Sequence, residues 1–185
     1  MTDLIDFLAA GGELSDEEWR SLIDGDYDRQ LLFNKADEVR RRYYGTDVYI
    51  RGLIEISNFC KNDCLYCGIR RSNASVSRYR LSEEEISDCC KQGYGMGFRT
   101  FVLQGGEDSY HTTRWVERMV SGIKEKHPDC AVTLSLGERP REDYEIWYRA
   151  GADRYLLRHE TASGSHYGKL HPPGQAYLRR MECLR

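Results

Sequence analysis

Residues 48–68 read Val-Tyr-Ile-Arg-Gly-Leu-Ile-Glu-Ile-Ser-Asn-Phe-Cys-Lys-Asn-Asp-Cys-Leu-Tyr-Cys-Gly, an apolar run that leads straight into three cysteines. The run from Val48 to Ser57 predicts a strand, and Cys60, Cys64 and Cys67 form a C-x3-C-x2-C triplet in the loop behind it. Three closely spaced thiolates without a fourth can hold three irons of a 4Fe-4S cubane and leave the last iron open for a substrate or cofactor. A structural zinc site calls for four protein ligands, and no second Cys or His pair of suitable spacing stands close by, which leaves zinc as the alternative. A disulfide framework does not suit seven cysteines, an odd number, in a chain whose start, MTDLIDFLAAGG, lacks the basic and apolar regions of a signal peptide. A reducing cytoplasm is the expected setting.

The 185 residues are 40% hydrophobic and 31% charged, a globular composition long enough for one real core. No stretch approaches the roughly 20 apolar residues of a membrane span. A net charge of -3, from 27 basic and 30 acidic residues, leaves no basic footprint for nucleic acid. Neither a membrane nor a nucleic-acid partner is expected.

Working outward from the triplet divides the chain into 1–46, a helical amino-terminal extension, and 47–185, a run of βα units. In the extension, Ser15 followed by Asp16, Glu17 and Glu18 starts a helix, Gly25 interrupts, and Tyr27 to Tyr44 carries Leu31, Leu32, Ala36, Val39 and Tyr43 at helical spacing up to Gly45. Beyond it, strands are predicted at Val48–Ser57, Thr100–Gln104, Ala131–Leu136 and Arg154–Arg158. Helices are predicted at Ser82–Gln92, Thr113–Lys126, Arg141–Ala150 and Gln175 to the end, with a Ser82/Glu85 capping box. This alternation means an α/β fold with parallel strands.

Strands of a doubly wound sheet are apolar on both faces. Here one face is repeatedly polar: Arg51, Glu55 and Ser57 in the first strand, Thr133 and Ser135 in the third, Arg158 in the fourth, with Glu160 just beyond. The apolar face should pack on helices and the polar face line a cavity, as in a barrel opened toward a ligand. Polar residues gathered merely at strand ends would lead to the same place, the carboxyl ends of the strands, where barrel enzymes keep their sites.

The triplet, with Tyr66 just before its third cysteine, resembles the signature of radical S-adenosylmethionine (SAM) enzymes. The phrases NDCLYCGIRRSN, SRYRLSEEEI, RTFVLQGGEDSY, VTLSLGERPREDYE and GADRYLLRHETA are similar, in this order, to the HydE family of FeFe-hydrogenase maturases. The resemblance implies a radical SAM TIM-type (βα) barrel carrying a 4Fe-4S cluster and SAM. Cys60, Cys64 and Cys67 would be the cluster ligands. Tyr66, Gly105, Gly106, Glu107, Ser135, Glu160 and Arg179 would contact SAM, with Arg180 competing for the role of Arg179. Gln104, Thr133 and Arg158 would face the substrate. An inward arginine needs a counter-ion or an anionic ligand, and for Arg158 a structural pairing with Glu160 is the alternative.

The implied substrate is a small organometallic iron–cysteine precursor carrying carbonyl and cyanide. The implied partners are the other maturation factors, a tyrosine-cleaving maturase and a GTPase scaffold. Alternatives are a radical SAM enzyme of the methylornithine synthase or biotin synthase type, acting on an amino-acid-derived substrate, or a non-catalytic fragment binding a cluster or zinc. Cys89, Cys90, Cys130 and Cys183 are expected in packing roles, His159 is expected to be structural, and Arg70, Arg71, Arg78 and Arg80 to be surface or site-organising. A full barrel needs about 250 residues, so four βα units predict a half barrel, the amino-terminal half of a longer enzyme.

Overall fold

The computed structural model describes residues 2–25 and 29–185. They fall into two compact units, Met1–Tyr49 and Ile50–Arg185, against an expected boundary between residues 46 and 47. The first unit holds α1 (Thr2–Ala9), α2 (Asp16–Asp24) and α3 (Arg29–Tyr44). Helix α1 was not foreseen; it buries Ile5, and Asp6 pairs with Lys35 of α3 at 3.1 Å. Ser15 caps α2 as expected, accepting from the Glu18 amide while Glu18 accepts from the Ser15 amide at 2.8 Å. The expected helix start at Tyr27 lies outside the described residues.

The second unit runs β1 (Gly52–Ser57), α4 (Glu83–Gly95), β2 (Thr100–Gly105), α5 (Thr113–Lys126), β3 (Ala131–Ser135), α6 (Arg141–Arg149), β4 (Arg154–Tyr155), α7 (Gly164–Leu170) and α8 (Tyr177–Cys183). The strands form one parallel sheet in the order β1-β2-β3-β4. Parallel crossovers are right-handed, so an order that always advances in one direction places every crossover helix on the same face. A doubly wound sheet reverses direction and covers both faces; this one winds as a barrel does. The result is an α/β half barrel of four βα units.

The helical face carries the core. Ile54, Ile56, Phe101, Leu103, Val132 and Leu134 are buried with Ile86 and Cys90 of α4, Val116, Val120 and Ile123 of α5, and Trp147 of α6. On the other face the register sets Glu55 beside Gln104 and Gln104 beside Ser135. One layer below, Leu53, Val102 and Thr133 stand in line. Ser57 breaks the expected alternation, because the register shifts between Glu55 and Ser57 and the side chain turns inward, 2% exposed.

Three strands are shorter than their patterns suggested, β3 by its last residue alone. β1 begins at Gly52, leaving Val48 and Ile50 exposed, since the ladder begins where Gly52 meets Phe101, beside the first residue of β2. β4 stops at Tyr155, because β3 ends at Ser135 and Gly137 turns away at φ 78°. The Tyr155 hydroxyl seals that corner, donating to the Gly137 carbonyl at 2.7 Å and accepting from the Leu136 amide at 3.3 Å. Cys90 and Cys130 are buried as expected, whereas Cys89 is exposed.

His111, just before α5, is fully buried against Trp115, with ring centroids 4.4 Å apart and neither ring nitrogen hydrogen-bonded. Burial lowers its pKa, with the positive charges of Arg139 and Arg80 adding to the effect and Asp108 opposing it. A histidine depressed in the folded state contributes stability that is fully present above the unfolded value, about 6.5, and lost as pH falls below it. Thermal unfolding of the chain should therefore drop in midpoint as pH falls below about 6.5, and His111→Phe should flatten that part of the profile.

Candidate active site

Between Ser57 and the Ser82 cap of α4 the chain forms no helix or extended ladder, and all three triplet cysteines lie there. Buried backbone groups without a ladder need other partners, and Arg78 supplies them. Its Nη1 donates to the carbonyls of Asn58 and of Ile69 (2.8 Å), and its Nη2 to those of Arg70 (2.7 Å) and Asn73 (3.2 Å). The two legs of the loop are also paired directly, the Asn58 side chain donating to the Ser77 carbonyl at 2.8 Å and accepting from the Tyr79 amide at 2.8 Å.

A second arginine fixes the root of the loop. Arg80 binds both oxygens of Asp108, Nε to Oδ2 at 2.6 Å and Nη2 to Oδ1 at 3.0 Å, the bidentate geometry a guanidinium favours. Ser57 Oγ donates to the same carboxylate at 2.9 Å and accepts from the Phe59 amide, while the guanidinium lies 3.8 Å from the Phe59 ring centroid. Burial alone would raise the Asp108 pKa; the Arg80, Tyr110 and Ser57 hydrogen bonds outweigh it and hold the carboxyl below its ordinary range. Gly106 lets the two loops touch: a Cβ there would lie 2.2 Å from the Phe59 carbonyl oxygen and 2.7 Å from the Cys60 Cβ.

The outcome is a cavity of about 250 Å³ at the carboxyl ends of the strands. Its wall includes Cys60, Cys64, Cys67 and Tyr66 from the loop, Gln104, Gly105, Gly106 and Glu107 from the end of β2, and Ser135, Arg158 and Glu160 from the ends of β3 and β4. Two expected residues stand elsewhere. Thr133 is buried one layer down beside Val102, its hydroxyl without a hydrogen-bond partner. Arg179 points outward, its side chain 66% exposed and 3.4 Å from Glu138.

Arg180 takes the inward position, 6% exposed and on the cavity wall. Its Nε donates to Glu138 at 2.7 Å and its Nη1 to the Arg158 carbonyl at 2.9 Å, with Glu107 at 3.9 Å. Burial would lower its pKa, but the Glu138 carboxylate outweighs that and raises it, so the charge is secure. Glu107 is itself held, accepting from the Glu138 amide at 3.1 Å and pairing with Lys61 at 3.2 Å. Arg158 and Glu160 make no ion pair among the described residues; both are exposed at the rim, and Glu160 holds φ 66°, the left-handed region that favours glycine.

Glu55, expected on the polar face, stands on the wall and accepts from the Gln104 side-chain amide at 3.5 Å. Sequence reading passed over two residues behind the wall. Asp108 follows the Gly-Gly-Glu run directly, and its burial could have been suspected from the arginines at 78 and 80. His171, in the irregular segment that follows α7, is buried and hydrogen-bonded to Tyr66 at 3.0 Å.

The donor set suits a cluster open at one corner. Burial pushes the Cys64 thiol up, with Gln175 opposing and the neighbouring Cys60 and Cys67 adding to the rise, so the three thiols share one electrostatic site that a multiply charged metal group would relieve. Among the described residues no three His, Cys, Asp or Glu side chains converge tightly enough to hold a single ion. A cubane, which offers each thiolate its own iron, accepts a wider spread than the Zn–S distances of about 2.3 Å that gather ligands around one zinc.

Comparison with known proteins agrees with this geometry. A family model described as the Radical SAM superfamily matches residues 54–185. The [FeFe] hydrogenase maturase subunit HydE of Thermotoga maritima is 49% identical over 155 residues, 84% of this chain and 44% of that protein. The 3-methylornithine synthase of Methanosarcina acetivorans is 33% identical over 180 residues, 95% of this chain and 50% of that protein. The X-ray structure of the FeFe-hydrogenase maturase HydG from Carboxydothermus hydrogenoformans superposes with a TM-score of 0.83 at 28% identity, covering 99% of this chain and 44% of that one. The chain thus spans about half the length of the curated relatives it matches.

Two substitutions test the loop architecture. Gly106→Ala should destabilise the second unit by about 1–3 kcal/mol through overpacking against Phe59, read by chemical denaturation. Arg78→Lys, which keeps charge but not the planar fork, should leave loop carbonyls unpaired and lower iron uptake on anaerobic reconstitution, with Arg71→Lys as the surface control.

Proposed function

This chain belongs to the radical SAM superfamily, and on that premise we propose that it is a radical SAM enzyme of FeFe-hydrogenase cluster maturation. The observation that carries the reading is the convergence of the cysteine triplet, the Gly-Gly-Glu loop, Arg158, Glu160 and Arg180 on one cavity. Similarity to HydE supports the maturation role.

In this reading Cys60, Cys64 and Cys67 hold a 4Fe-4S cluster. When bound, the cluster supplies an electron that cleaves SAM to a 5′-deoxyadenosyl radical. Gly105 and Gly106 bring backbone within reach of the methionine end of SAM, since neither carries a side chain to keep it away. Arg180 is the better placed arginine for the methionine carboxylate, because it is charged, buried and on the wall while Arg179 is not. Glu107 holds Lys61 and the Glu138 amide, which keeps the rim of the cavity rigid. Ser135 and Glu160, on the cavity wall, offer polar contacts to SAM.

Gln104 and Arg158, with Thr133 beneath, face the space where a substrate would sit. An exposed, unpaired guanidinium suits an anionic group such as an amino-acid carboxylate. The proposed substrate is an organometallic iron–cysteine precursor made by a tyrosine-cleaving maturase, and the product passes on to a GTPase scaffold. A reducing cytoplasm suits the seven free cysteines; among the described residues no helix is long and apolar enough to cross a membrane. A second reading, a radical SAM enzyme of the methylornithine synthase type, draws on the 33% identity over nearly the whole chain.

Anaerobic reconstitution with iron, sulfide, reductant and SAM should give protein-bound iron and 5′-deoxyadenosine, and alanine at Cys60, Cys64 or Cys67 should abolish both. Stoichiometric zinc in place of iron would sink the radical reading. Arg180→Lys should weaken SAM binding about tenfold, the loss of one charge-assisted hydrogen bond, while Arg179→Lys leaves it unchanged. Restoration of hydrogenase activity in cells lacking their own HydE supports the maturase; formation of 3-methylornithine instead supports the second reading.

A further inference from the structure

Three consecutive residues of the cysteine loop are gripped by one distant segment. The Cys64 thiol donates to Gln175 Oε1 at 3.4 Å, the Leu65 amide donates to the Leu170 carbonyl at 2.9 Å, and the Tyr66 hydroxyl meets His171 Nε2 at 3.0 Å. The segment comprises α7 and the turn that follows it, between the short fourth strand and α8. Cys67 is tied into the same grip, its amide donating to the Cys64 carbonyl at 3.0 Å.

The tautomer of His171 follows from its partners. Nδ1 lies 2.9 Å from the Tyr167 carbonyl, and a carbonyl only accepts, so Nδ1 carries the proton. In the neutral ring Nε2 then has a free lone pair, and the Tyr66 hydroxyl donates to it. The imidazole cannot swing away. It is 4% exposed and stacked on the Tyr167 ring, with centroids 3.7 Å apart and planes at 14°. Tyr66, by contrast, is 51% exposed, on the cavity wall. Without this anchor its ring would be free to choose among rotamers, and the peptide linking it to Cys67 would follow.

We infer that His171 is a positioning residue for the cofactor site: through the Tyr66 hydroxyl it fixes the Tyr66–Cys67 peptide, while Leu170 and Gln175 hold the residues before it. The inference rests on the radical SAM reading, in which that part of the wall meets the adenine end of SAM. It assigns to α7 and the following turn the work of shaping the SAM pocket from outside the cysteine loop. The cysteine thiols make no hydrogen bond to His171, and the loop that carries them is braced at its flanks by Arg78 and Arg80, so cluster loading is held apart from the His171 contact.

That separation gives the test. His171→Phe keeps the stack and removes the acceptor; His171→Gln keeps an acceptor near the Nε2 position. After anaerobic reconstitution, iron and sulfide content should match wild type in both. SAM affinity, measured by equilibrium dialysis and by the SAM-induced change in the electron paramagnetic resonance spectrum of the reduced cluster, should fall about tenfold in His171→Phe, as for one hydrogen bond lost, and largely return in His171→Gln. Tyr66→Phe should weaken SAM binding to the same degree, and the double variant Tyr66→Phe/His171→Phe should bind no worse than either single one. Wild-type SAM affinity in His171→Phe, iron content that falls in step with SAM binding, or losses that multiply in the double variant would each overturn the inference. A wild-type chain that loads its cluster but takes up no SAM overturns the reading beneath it, a distinct result.

Discussion

Backbone carbonyls that find no strand or helix partner are the difficulty this fold has to meet, and Arg78 meets it. One guanidinium gathers the carbonyls of Asn58, Ile69, Arg70 and Asn73, from both sides of the triplet. A planar fork can serve several acceptors at fixed angles where an ammonium would serve fewer. Arg80 does the same for the root of the loop by way of Asp108, and Gly106 allows the loop to lie against the end of β2. Remove that bracing and the thiols have no common frame; the remainder of the site is arranged around where it puts them.

The direction of winding explains why the frame sits where it does. Strands added always on the same side leave one face without crossover helices, and the side chains of that face, Glu55, Gln104 and Ser135 in one layer, are polar because no helix covers them. The loops at the carboxyl ends then converge over this uncovered face. A site in a barrel is therefore made of residues far apart in sequence, as with Cys64 and Gln175, and its precision comes from the sheet register rather than from any single loop.

Much of this was legible in the chain. The triplet behind an alternating run, the Gly-Gly-Glu at the end of the second strand and the Ser82 capping box are local signals; the structure sets the first two on one cavity and the third at the start of α4. What failed to show depends on partners. The length of β4 is limited by where β3 ends, and the inward turn of Ser57 by a register shift; neither leaves a trace in composition. Arg179 and Arg180 differ by one step around a short helix, so only the fixed phase of α8 decides which faces Glu107. His171 lies between Leu170 and Pro172 in an irregular segment, and its role needs Tyr66, a residue over a hundred positions away, to become visible.

Glu160 sets stability against chemistry at a single position. Its backbone, at φ 66°, is one that glycine enters freely and a residue with a Cβ enters at a cost. A search for sturdier versions of this protein would be drawn to glycine here, and each step of gain would delete a carboxylate from the rim of the cavity. Selection for folding alone and selection for the site would thus part company at this residue. On the function proposed above, its acidic side chain marks, in the language of the backbone, where the chain is shaped for its ligand rather than for itself.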